Sequence, residues 1–305
     1  MKLAYLERGE IERLTAGRSE LEERADVLAD ACRLNTLYMI KRAGSGHVGT
    51  SFSAMDAVVW LHLAELTGDD LYFSSKGHDA PGLYAVLAAL GRIDFELIHR
   101  LRRLGGLPGH PDVLHTPAIH TNTGSLGMGI SKAKGFVRAA RLAGRTRRMF
   151  VLTGDGELQE GQFWESLGSA ANEGLGEITV IVDHNKIQSD TWVEHVSHLG
   201  ELEAKVAAFG WAVERCDGND TRSLRDGLAR LEEAAAGRPR LLLADTLKGA
   251  GVSFMEPHGL PRAGDSLYDF HSGAPSDEHY LAALSELVER LSARAGEEPR
   301  LTEVD

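Results

Sequence analysis

The stretch "TGDGELQEGQFWESLGSAANEGLGEITVIVDHNKIQSD", residues 153–190, decides the fold. An apolar run ending at Thr153 stops at Gly154-Asp155-Gly156, a helix-like run follows, and a second apolar run, "ITVIVD", stops just before Asn185. Two strands that are apolar on both faces, joined by a helix-length segment, are the mark of a parallel sheet covered on each side. In such a sheet ligands bind beyond the carboxyl ends of the strands, which is where Asp155 and Asn185 fall. Gly154 and Gly156 suit a sharp turn whose N–H groups approach phosphate oxygens. The acid between them would repel phosphate unless a divalent cation lies between the two. Asp155 carboxylate, Asn185 amide oxygen and a backbone carbonyl just after Asn185 form an oxygen set that favours Mg²⁺ or Ca²⁺ over zinc. A GDG triplet alone is an ordinary turn; its pairing with Asn185 across a helix and a strand makes it a candidate site.

The same pattern extends outward. Runs at 71–74, 148–153, 178–183, 211–216 and 240–246 read as strands, and segments 19–44, 52–66, 79–91, 94–105 and 125–144 as helices. The first helix opens with Ser19 and Glu22 at capping-box spacing and closes on Gly44. The expected fold is α/β, one doubly wound, mostly parallel sheet with helices on both faces. We expect an N-terminal extension over 1–18, the ligand-binding domain over 19–275, and a C-terminal helix with a tail over 276–305, the last residues, "GEEPRLTEVD", fraying.

Composition narrows the function. The 305 residues, 43% hydrophobic with 34 Gly, suffice for one large core, and a formal net charge of -12 argues against nonspecific binding to nucleic acid or anionic membrane. No apolar run approaches the roughly 20 residues of a membrane span. Two distant cysteines, Cys32 and Cys216, and no signal-peptide pattern fit a reduced, cytoplasmic setting.

The GDG…N arrangement resembles the diphosphate-binding motif of thiamine-diphosphate enzymes, and the rest of the chain resembles transketolase from about Ser45 to Pro275. "GSGHVGTSFSAMD", "SSKGHDAPGLYAVL", "GLPGHPD", "NTGSLGMGIS" and "GDGELQEGQFWE" match family segments in order. The resemblance implies that Asp155, Asn185 and the Ile187 carbonyl hold Mg²⁺ (or Ca²⁺), and that Gly154, Gly156 and His78 contact the diphosphate. It implies that Gly124, Leu126 and Gly127 line the thiazolium, and that His47, His110 and His271 face the sugar. Histidine suits that role because it donates or accepts a hydrogen bond near neutral pH. Ser125 and Met128 depart from the family's Pro and Gln, and Ser272 interrupts its late His-Gly pair, so His258 competes with His271. Glu160 is either a surface helix residue or, by the resemblance, part of a carboxylate network across a subunit interface.

By the same resemblance the activity is transfer of a two-carbon ketol unit from a ketose to an aldose. Family members also carry a pyrimidine-binding domain and a C-terminal domain, to which nothing in this sequence corresponds. The expectation is a split transketolase: a second polypeptide carries both domains, with two copies of each chain and a sugar or sugar-phosphate substrate. Two other readings are a related carboligase acting on a 2-oxo acid or modified sugar, and a non-catalytic cofactor-binding subunit.

Overall fold

The computed structural model describes residues 1–116, 118–259 and 267–305. Its centre is a five-stranded, wholly parallel sheet. In chain order the strands are β1 (Leu3–Tyr5), β2 (Leu71–Ser74), β3 (Met149–Gly154), β4 (Ile178–His184), β5 (Ile187–Gln188), β6 (Thr191–Trp192), β7 (Ala212–Asp217), β8 (Arg240–Asp245) and β9 (Thr302–Val304). The central sheet runs β2-β3-β4-β8-β7, so the five strands expected from sequence are the five that pair.

Alternation along each strand builds two cores. Phe150, Leu152, Ile181 and Leu242 face one cluster, with helices Leu21–Ala43, Ala80–Ala89 and Thr221–Ala235; Met149, Val151, Val180, Val182, Leu241 and Leu243 face the other, with helices Gly129–Leu142, Gly161–Asn172 and Leu202–Ala208. Side chains alternate across a strand, so a strand apolar at every position is held from both sides. Helix Leu21–Ala43 ends as the sequence expects: Gly44 is left-handed (φ 75) and its N–H bonds the Ile40 carbonyl at 3.1 Å.

Several expectations need correction. The capping box at Ser19 does not form; Glu20 is the N-cap without a side-chain bond, and the Glu22 carboxylate is taken by Arg225. Segment 94–105 is helical only over a 3₁₀ stretch, Phe95–Arg100. There the chain turns back at Arg102 (φ 54), whose N–H bonds the Leu107 carbonyl at 2.7 Å. Segment 52–66 is two short helices, Val48–Ser53 and Met55–Trp60, running into a π-helical turn, Leu61–Glu65. The tail does not fray. Residues of β9 pair antiparallel with β1, Leu3 opposite Val304 and Tyr5 opposite Thr302. Both Ala4 backbone groups bond the buried Tyr280 hydroxyl, at 2.9 and 3.3 Å. The strand forms because the chain's first residues offer an edge: Leu6, Ile11 and Leu14 bury in the same core as helix Leu21–Ala43 and hold β1 in place. Most of the altered loop before His271 falls on 260–266, outside the described residues.

Candidate active site

Register sets the site. Gly154 lies beside Asp183 in the β3–β4 ladder, so the turn after β3 and the loop after β4 open at the same end of the sheet. Between them is a cavity of about 510 Å³. It is lined by His47, His78, His110, Gly124, Leu126, Gly154, Asp155, Gly156, Glu160, Asn185, Ile187 and His271, twelve of the residues singled out from sequence. Gly127 stands just behind, its N–H donated to Glu157 Oε1 at 2.8 Å. His258 does not line the cavity; it is mostly exposed and pairs with Glu256 at 2.7 Å.

Most of the polar floor is wired together. Asp155 is buried, with Oδ1 accepting from the Gly156 N–H (2.8 Å) and Oδ2 from the Lys186 N–H. Burial lifts its pKa to about 6, against the nearby His184 and the two N–H donors. A buried carboxylate whose pKa burial lifts toward neutrality is a place where a further cation is favourable. The Asn185 amide nitrogen donates to Asp183 Oδ2 at 3.1 Å, which fixes its orientation, and its oxygen accepts from the Ile187 N–H at 3.0 Å with a lone pair to spare. The glycine after Asp155 is required by space: a Cβ on Gly156 would meet Gln188 Cβ at 2.7 Å. Gly154 has no such demand, its nearest neighbour being Lys76 Cδ at 3.6 Å.

Sequence reading missed the charges beneath. Asp183, at the end of β4, accepts from Lys76 Nζ (2.6 Å), Ser53 Oγ (2.7 Å) and Thr246 Oγ1. Burial alone would raise the Asp183 pKa and lower that of Lys76; each outweighs this for the other, so the pair stays ionised. Lys248 is a second buried ammonium, donating to the carbonyls of Ile187 (3.2 Å) and Ser189 (2.8 Å), and burial pushes its pKa down to about 8. The Ile187 carbonyl, expected as a metal ligand, therefore shares its lone pairs with Lys248. Glu157 is a third omission. Buried, it accepts from the Gly127 N–H (2.8 Å), the Gly154 N–H (3.3 Å) and the Ser75 hydroxyl, tying the 124–127 turn to the GDG turn. The available signal was position: Lys248 follows the end of β8, as Asp155 follows β3.

Above the floor stand the histidines. The rings of His47 and His78 are 5.2 Å apart, those of His47 and His271 5.0 Å. Burial lowers the pKa of His47 and His271 to about 4 each and that of His78 to about 2, and lowers that of His110. At neutral pH all four are uncharged and can donate or accept at a substrate hydroxyl. Gln188 adds a buried amide oxygen with no partner among the described residues. Two cations, a buried carboxylate, an oriented amide and neutral imidazoles together fit an anionic ligand held through a hard cation, with a polyol beside it.

Comparison with known proteins agrees with this chemistry. A family model described as "Transketolase, thiamine diphosphate binding domain" matches residues 24–269. The chain is 35% identical over 278 residues to one of the subunits of apulose-4-phosphate transketolase from Actinobacillus succinogenes, covering 88% of this chain and 96% of that one. It is 36% identical over 247 residues to the 6-deoxy-6-sulfo-D-fructose transketolase subunit SqwG of a Clostridium species, covering 78% and 88%. Among solved structures, transketolase from Leishmania mexicana superposes with a TM-score of 0.76 at 25% identity, over 92% of this chain and 42% of that one. That from Campylobacter jejuni superposes with a TM-score of 0.74 at 24% identity, over 92% and 43%. The chain thus spans less than half the length of these solved transketolases and nearly all of the apulose-4-phosphate transketolase relative.

Proposed function

The chain belongs to the transketolase family as its thiamine-diphosphate-binding part, and from that premise we propose that it is the N-terminal subunit of a split transketolase. Its reaction is transfer of a two-carbon ketol unit from a ketose to an aldehyde acceptor. The observation that carries this reading is the convergence of Asp155, Asn185, Lys248 and the neutral His47, His78, His110 and His271 on one cavity. Thiamine diphosphate, when bound, supplies the carbon centre at which the carbon–carbon bond is broken and remade.

The chain's own residues bind and orient. Asp155, the Asn185 amide oxygen and the Ile187 carbonyl offer hard oxygens to Mg²⁺, with Ca²⁺ as a substitute. Gly154, Gly156, His78 and Lys248 lie where they can meet the diphosphate, and Gly124, Leu126 and Gly127 form the wall for the thiazolium. His47, His110 and His271 hydrogen-bond sugar hydroxyls and stabilise charge that develops on the sugar oxygen. Burial keeps them uncharged, so each can accept a proton without first shedding one to water.

A second subunit completes the site by covering the pyrimidine end of the cofactor, and two copies of each chain form the working assembly, with Glu160 at the contact between them. Two free, buried cysteines fit the cytoplasm as its compartment. No described helix is long and apolar enough to cross a membrane. Two relatives are named for ketoses that carry an anionic group, a phosphate in one and a sulfo group in the other. An anion-ended ketose is therefore the donor to try first. The test is to purify the chain alone and together with its complementary polypeptide, and to follow ketose-to-aldose transfer with thiamine diphosphate and Mg²⁺. Activity is expected only in the mixture; full turnover by the single chain would overthrow the reading.

A further inference from the structure

A second cavity, of about 320 Å³, lies where β2 begins, beside the segment Ala118–His120, and shares no lining residue with the active site. Its walls are the apolar Leu66, Leu83, Leu87 and Ile119, with His62, Tyr72, Arg92 and His120 among them. The polar groups have one need in common. Arg92 Nη1 lies 2.6 Å from His62 Nδ1, and Nη2 donates to the His62 carbonyl at 2.9 Å. A guanidinium only donates, so His62 Nδ1 accepts and the ring carries its proton on Nε2. Burial, with Arg92 beside it, lowers the His62 pKa to about 3, which agrees with a neutral ring.

That Nε2–H has no acceptor among the described residues, and neither has the hydroxyl of Tyr72, whose ring meets that of His62 edge to face at 5.0 Å. Arg92 has no carboxylate partner among the described residues. The one acid on the wall, Asp70, is already spent on Arg148, at 2.6 and 3.0 Å. Arg147, whose field acts on His120, likewise has a buried Nε without an acceptor. Each buried donor without an acceptor costs about 1 to 3 kcal/mol. Here two buried donors without an acceptor and, beside them, an exposed cation without a carboxylate suit the same thing, an acceptor-rich anion. The local backbone is unusual as well: His62 sits in the π-helical turn Leu61–Glu65, closed by the Leu66 N–H on the Leu61 carbonyl at 2.9 Å, and such turns concentrate at binding sites.

We propose that this cavity binds a small organic anion, its carboxylate or phosphate oxygens held by Arg92, Tyr72 and His62 and its short carbon body by Leu83, Leu87 and Ile119. The volume is at the low end of ligand pockets, which limits the guest to a handful of heavy atoms. Donor groups without partners are tolerated in the free chain because the guest satisfies them, the usual exchange of stability for binding.

Calorimetric titration of the full chain with butyrate, inorganic phosphate and butanol tests this. Saturable binding of one butyrate or one phosphate per chain is expected, with the better of the two identifying the head group, and butanol binding far more weakly. Arg92→Ala should weaken it about tenfold or more, whereas Arg222→Ala, an exposed cation paired with Glu20 and in neither cavity, should leave it unchanged. Tyr72→Phe should weaken binding yet keep or raise the melting temperature, because it removes a hydroxyl that lacks a partner. No saturable binding by either anion, equal binding of butanol, or binding unaltered by Arg92→Ala would each overturn the proposal.

Discussion

Asp155 shows how one side chain is read at two levels. Its place after an apolar strand, in a GDG turn, was legible in the sequence, but its partners were not, because Lys186, Lys248 and Asp183 come from other strand ends that only the fold brings together. Asp155→Asn keeps the shape and removes the buried charge. Calorimetry of the assembled enzyme should then find cation-dependent affinity for thiamine diphosphate reduced by more than about 100-fold. The melting temperature of the chain should change little, since one lost acceptor is offset by one less buried charge. The histidines give a pH prediction. His47, His62, His78 and His271 all have folded pKa values below that of a free imidazole, from about 4 down to about 2. Protonation therefore favours the unfolded chain: this part of the stability is present above about pH 6.5 and is lost as pH falls toward the folded values. Each such group removes up to about 1.4 kcal/mol per pH unit in that window. Asp155, raised to about 6, works the other way between pH 6 and 4, and burial raises Asp79 and Glu157 in the same sense; against these three stand the four histidines together with His99, His110 and His120, which burial also lowers. Melting curves from pH 7.5 to 5 should fall, and His78→Asn or His62→Phe should each flatten the slope; an unaltered slope in both would refute the assignment.

Glu157 makes its contribution between elements. It joins the turn at 124–127 to the turn at 154–156, and no periodicity flags it, since an acid after GDG reads as one more turn residue. Glu157→Ala leaves the Gly127 and Gly154 N–H groups and the Ser75 hydroxyl without their acceptor, so thermal or urea denaturation should show a loss of about 3 kcal/mol. The ion pairs behind the site work alike. Arg33 bonds Asp56 and the Phe52 carbonyl on one side and Asp30 on the other, and Asp30 in turn pairs with Arg290 and Arg294 of helix Asp277–Ala295. Arg33→Leu leaves the buried Asp56 without a cation, its remaining bond coming from the Asn219 amide, while Asp30 keeps Arg290 and Arg294; the change should cost about 3 kcal/mol in urea denaturation. A cost below about 1 kcal/mol would mean that the network is ornamental. The five strands of the sheet were legible because runs apolar on both faces admit few other readings. The segment 94–105 was not: its helical spacing of Phe95, Ile98 and Leu101 is real, but Arg102 and the glycines at 105 and 106 turn the chain back before the helix can lengthen beyond Arg100.

At the scale of the molecule, the β1–β9 pair closes the chain on itself. A sequence of charged and polar residues such as "GEEPRLTEVD" carries no sign of a strand, and only the presence of β1, 297 or more positions away, makes it one. Deleting 301–305 uncovers β1 and the Ala4–Tyr280 contact and should lower the melting temperature by roughly 3 °C or more. An unchanged melting curve would show the pairing to be incidental. A partner polypeptide, by contrast, was legible in the resemblance, and two relatives named as single subunits of a transketolase agree with it. The pairing also has a use in engineering. Leu3 lies directly across from Val304, so a linker of a few residues could splice the two ends into a ring. The chain could then be reopened in an exposed loop remote from the site, such as the turn after helix Gly129–Leu142, moving both fusion points without touching the pocket.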